Sequence, residues 1–147
     1  MFNRKIKRLV LISMIVILLL IFLFLFFKIR KPIYWAQNLK TENVSNIKVT
    51  VQPPINDKSY KIFEPDEFDN VVAQINQCAE KFTINPSKPS GLSIVYDITM
   101  KNGDIHTVAN NEMDIIIDGI YYKGNNEWIR QWLDEVVDEV DNASLEN

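Results

Sequence analysis

The stretch LSIVYDITMKNGDIHTVA, Leu92 to Ala109, decides the fold. Leu92, Ile94, Tyr96, Ile98 and Met100 alternate with Ser93, Val95, Asp97 and Thr99, the period of a strand with one buried face. Asn102-Gly103 marks a hairpin, because both residues tolerate the positive φ of a type I′ turn. The return strand is Ile105 to Ala109, expected to place Ile105, Thr107 and Ala109 inward and His106 outward. A hairpin makes the sheet antiparallel, so the neighbouring segments are read as further strands of that sheet.

Working outward, Val44 to Val51 has Ile47, Val49 and Val51 on one face, and Pro53-Pro54 ends it. Lys58 to Phe63 is a short second strand. Glu64-Pro65-Asp66-Glu67 starts a helix, with proline in the first turn and acids at the positive end of the dipole. Phe68, Val71, Val72, Ile75, Cys78, Ala79 and Phe82 give that helix one apolar stripe. Asn85 to Gly91 is a loop. Asp114 to Ile117 and Ile120 to Lys123 flank Asp118-Gly119, a second hairpin pair. Asn125 or Asn126 caps a closing helix, Glu127 to about Val140, with a stripe of Trp128, Ile129, Trp132, Leu133, Val136, Val137 and Val140. The expected class is α+β, β-β-α-β-β-β-β-α, an antiparallel sheet covered by two amphipathic helices.

Upstream lies a different kind of sequence. Leu9 to Phe27 is nineteen residues without a charge, roughly 28 Å of helix against a ~30 Å hydrocarbon core. No small-residue cleavage site follows it, so it reads as an uncleaved anchor. Residues 1–8 form a basic cytoplasmic tail, 9–27 the transmembrane helix, 28–43 a juxtamembrane connector with Tyr34 and Trp35, 44–141 the domain and 142–147 a frayed tail. Arg4, Lys5, Lys7 and Arg8 outnumber Lys28, Arg30 and Lys31, which favours the N-terminus inside and the domain outside the cytoplasm.

Charge divides the chain in the same place. The first 31 residues hold seven basic residues and no acid; the other 116 hold nine basic residues and nineteen acids, so the parts carry +7 and −10. A domain of that sign is a poor partner for nucleic acid. Hydrophobic residues make up 47%, too many for a disordered chain. One cysteine excludes an internal disulfide and any Cys-pair metal site.

Candidate chemistry is sparse. Gly91, Gly103, Gly119 and Gly124 lie singly in turns and form no phosphate-cradling loop. His106 is the only histidine and reads as a surface residue; Cys78, on the apolar stripe, reads as a small buried hydrophobe. Asp114 and Asp118, four apart on a strand, would lie ~13 Å from each other, too far for a glycosidase pair. The acids of the closing helix lack a calcium loop. Catalytic, cofactor-binding and metal sites are therefore expected to be absent, and the chain is read as a binding protein without enzymatic activity. A partner surface is placed on Glu135, Asp138 and Glu139 of the closing helix with Tyr121 and Tyr122, facing a partner that is basic. Alternatives are an immunity or inhibitor protein against a basic toxin or hydrolase, and an envelope hydrolase using Asp97, Asp104 or Asp114.

The segments Asn38-Leu39-Lys40-x-Glu42-Asn43-Val44, Ile47-x-Val49-x-Val51-Gln52-Pro53-Pro54 and Ile117-Asp118-Gly119-Ile120-Tyr121-Tyr122-Lys123, with the Phe68–Phe82 helix and the Asn102-Gly103 hairpin, carry a resemblance. Together they resemble a family of small membrane-tethered extracytoplasmic α+β domains of Gram-positive bacteria. The resemblance implies topology and localisation and brings no catalytic residues.

Overall fold

The computed structural model describes residues 2–55, 59–88, 91–111, 113–125 and 127–129. It contains two units, Met1–Lys31 and Pro32–Asn147. The first is the greater part of helix α1 (Phe2–Gln37). Its side chains from Leu9 to Phe27 are exposed, and the helix is long and apolar enough to cross a membrane, as in a single-pass membrane protein.

The second unit is α+β, as expected from the sequence. Seven strands, β1 (Val44–Gln52), β2 (Tyr60–Ile62), β3 (Ala79–Phe82), β4 (Ser93–Met100), β5 (Ile105–Asn111), β6 (Asp114–Ile117) and β7 (Ile120–Gly124), form one antiparallel sheet. Its order is β2-β1-β4-β5-β6-β7-β3. One face is packed: Ile47, Val49, Val51, Ile94, Tyr96, Ile98, Val108, Ile115, Ile117 and Tyr122 are buried there. Each such side chain contributes roughly 1.5–3 kcal/mol on leaving water. Helix α2 (Phe68–Cys78) adds Phe68, Val71, Val72, Ile75 and Cys78 to the same core. Its start is the expected one: Glu64 and Glu67 form a capping box around Pro65–Glu67, and Lys61 Nζ lies 2.6 Å from Glu67 Oε1.

Three expectations are corrected. First, the connector read at 28–43 is helical as far as Gln37, with Pro32 inside the helix. Proline forfeits one helical hydrogen bond, but Ile33, Ala36 and Leu39 are buried in the core cluster, which offsets the loss.

Second, α2 stops at Cys78, and Ala79–Phe82 is an edge strand paired with β7, so the sheet has one strand more than the sequence pattern indicated. Gly124 permits the junction. A Cβ there would sit 1.8 Å from the Cys78 carbonyl oxygen. Phe82, expected in the helical stripe, is 41% exposed.

Third, β5 is turned over. Gly103 has φ +91° and Asn102 does not have positive φ; the Gly103 amide donates to Met100 O at 2.9 Å and Met100 N donates to Asp104 O at 2.8 Å. This is a three-residue loop closed on glycine and not the two-residue type I′ turn. The extra residue shifts the register to Ile98↔His106 and Tyr96↔Val108. His106, Val108 and Asn110 therefore face the core, while Ile105 is 65% exposed on the other side. Asp118-Gly119, by contrast, is a two-residue turn with φ +49° and +78°, the signs that type I′ requires.

Candidate binding site

The β3–β7 edge carries the candidate site. Register places Lys81 directly opposite Lys123 on the sheet face away from the core, and Lys123 opposite Asp114. Like charges facing each other across strands repel, and Asp114 relieves one of them. Its carboxylate is fully buried, accepts from Lys123 Nζ at 2.5 Å through Oδ1 and from the Ser87 amide at 2.6 Å through Oδ2. Burial alone would raise this carboxyl, but the Lys123 ammonium and the Ser87 donors outweigh it and hold it below the usual carboxylate range. Lys81 has no ion pair among the described residues. Glu80, Lys81, Met113, Lys123, Gly124, Asn125 and Glu127 line an open groove of about 660 Å³. Asn125 Oδ1 accepts from the Glu127 amide at 2.9 Å, the cap expected at that position.

This lining offers charges of both signs, an exposed thioether and an amide. Among its described residues no nucleophile stands beside a base. The sequence pattern missed the groove because Glu80 and Lys81 read as the end of a helix. The available signal was Gly124, a glycine closing a strand of large residues.

His106 lies elsewhere, against the core. Its ring stacks on Trp35 with centroids 3.9 Å apart and 20° between planes. Asp118 Oδ2 accepts from Nδ1 at 2.7 Å, and Asp118 Oδ1 accepts from the Thr107 amide at 2.9 Å. A carboxylate only accepts, so the proton sits on Nδ1. Asp118 thereby fixes the ring, the ring seats Trp35, and the end of α1 is joined to the sheet.

Of the residues assigned to a partner surface, Glu135, Asp138 and Glu139 lie outside the described residues, as does all but the first turn of the closing helix. Tyr121 and Tyr122 separate. Tyr121 faces away from the core and is half-buried, whereas Tyr122 is fully buried and contributes no surface. Burial pushes the Tyr122 phenol up to about 12, and the Asp118 charge adds to the rise. Cys78 is buried as expected, its thiol pushed up to about 12. Asp97, Asp104 and Asp114 do not converge. Asp97 stands opposite Thr107, Asp114 opposite Asn111, and Asp104 closes the hairpin loop. No family model, curated relative or solved structure matches this chain.

Proposed function

We propose that this chain is a single-pass membrane protein with its N-terminus in the cytoplasm, whose acidic domain lies outside and binds a protein or cell-envelope ligand without catalysis. The observation that carries the reading is the open β3–β7 groove, where Lys81 has no ion pair among the described residues and lies beside Glu80, Lys123 and Glu127. Unpaired charges at a concave edge suit a ligand with charges of its own. The long exposed apolar helix supports the membrane assignment, and the resemblance to tethered extracytoplasmic domains of Gram-positive bacteria agrees with it. The −10 charge of the domain favours a basic protein, such as a toxin or hydrolase held by an immunity protein. The hydrolase alternative loses its support with its three carboxylates apart.

Affinity capture of the full-length protein from its own cells in mild detergent tests the reading. The comparison is a variant carrying Glu80→Gln and Lys81→Ala, both exposed. A partner held by the native groove, released by rising salt and lost with the variant is the expected result. Recovery that ignores both salt and the two substitutions would sink it.

A further inference from the structure

The sheet face opposite the core is covered by no helix among the described residues, and its composition is organised. One register row runs across six strands: Tyr60↔Thr50↔Val95↔Ala109↔Ile116↔Tyr121. At ~4.8 Å per strand its tyrosines stand roughly 24 Å apart. The next row is Ile62↔Lys48↔Asp97↔Thr107, and beyond it Thr99↔Ile105. Tyr60 and Ile62 are 52% and 54% exposed. We propose that a second copy of this chain packs on this face, making a two-sheet sandwich across a twofold axis.

Two arguments select a second copy over another protein. The first is charge. The described strand residues of this face carry Lys48, Lys81 and Lys123 against Asp97 and Asp114, a net of +1, so these strands add nothing to the acidity of the domain. Two acidic copies meet here without repulsion between the described strand residues. The face also complements itself, because Lys48 and Asp97 are cross-strand neighbours. A twofold contact sets Lys48 of one copy against Asp97 of the other, twice.

The second argument is size. The rows of six, four and two residues offer on the order of 400 Å² per copy, about 800 Å² for the pair, the size of a weak, transient interface. Such an interface is weak between free molecules. Anchoring in one membrane raises the effective concentration enough to populate it. Sheet faces pack in this way about 10 Å apart.

The test uses the full-length chain in native membranes, with Thr107→Cys as reporter and a short bis-maleimide as cross-linker. Native Cys78 is buried and stays silent. A dimer forming about tenfold more efficiently than with Asp66→Cys, on the helix side, is expected. Ile116→Lys returns it to that background; silent Cys78 in Ile116→Lys without the reporter shows that the variant is folded. Lys48→Asp and Asp97→Lys each weaken the dimer alone, and co-expression of the two, differently tagged, restores it between unlike copies. Equal cross-linking from Asp66→Cys and Thr107→Cys, a product of any mass other than two chains, or no restoration on mixing overturns the proposal.

Discussion

At the scale of single residues, Asp114 and Cys78 make opposite statements about burial. Asp114 is buried but answered by Lys123 and Ser87, so its folded pKa lies below the ordinary value near 3.8. A depressed carboxyl stabilises the fold above the unfolded pKa and loses that contribution as pH falls through the folded value. Unfolding midpoints are therefore expected to hold steady down to about pH 4 and then drop. Asp114→Asn should lessen that drop, leaving the part due to Glu67, whose carboxyl Lys61 also holds down, and cost about 2 kcal/mol, below the usual figure for a broken buried pair because Lys123 reaches solvent. A denaturant titration of the two proteins at pH 7 and pH 3 checks both. Cys78 has no charged partner among the described residues, and burial pushes its thiol up to about 12. It should ignore thiol reagents at pH 8 until the domain unfolds, so labelling rate against denaturant reads global stability directly.

At the scale of elements, the sequence pattern located strands well and faces less well. Alternation placed β1 and β4 nearly to the residue, and the Asp118-Gly119 turn bounded β6 and β7 although both carry apolar side chains on each face. On β5 Ile105/Thr107/Ala109 is the more apolar set, so alternation chose it over His106/Val108/Asn110, the set that faces the core. The loop overrode it. A two-residue turn at Asn102-Gly103 would pair Ile98 with Thr107; the three-residue loop pairs it with His106, and a one-residue slip reverses every side chain. The groove was illegible for a related reason: Ala79–Phe82 continues a helical stripe, and only the distant Gly124 shows that the chain must bend into the sheet. Gly124→Ala should detach β3. Loss of amide-exchange protection confined to 79–82 and 122–124 is the expected signature, and unchanged protection would show that the junction relaxes. Trp35→Ala, which empties the place above His106, should cost about 2 kcal/mol, under the full-burial figure because Trp35 is only partly buried.

At the scale of the whole molecule, the domain begins earlier than its first strand. Ile33, Ala36 and Leu39 belong to its core, so a fragment starting at Pro32 should unfold in one sharp transition, while one starting at Val44 should melt broadly and bind a hydrophobic dye. Calorimetry of the two decides it. Asp66→Cys is exposed and reports sidedness: an impermeant maleimide should label it in intact cells if the domain lies outside, and only after lysis if it lies within. One detail of the α1 terminus reaches further. The Gln37 amide donates to Ala79 O at 3.2 Å, occupying an acceptor on the border strand β3, and the opposite border is a strand of three residues, β2. A sheet with an acceptor taken on one border strand and only three residues in the other offers incoming chains little edge to extend. At high concentration the protein should then resist edgewise filament growth, and releasing Gln37 from Ala79 should weaken that resistance.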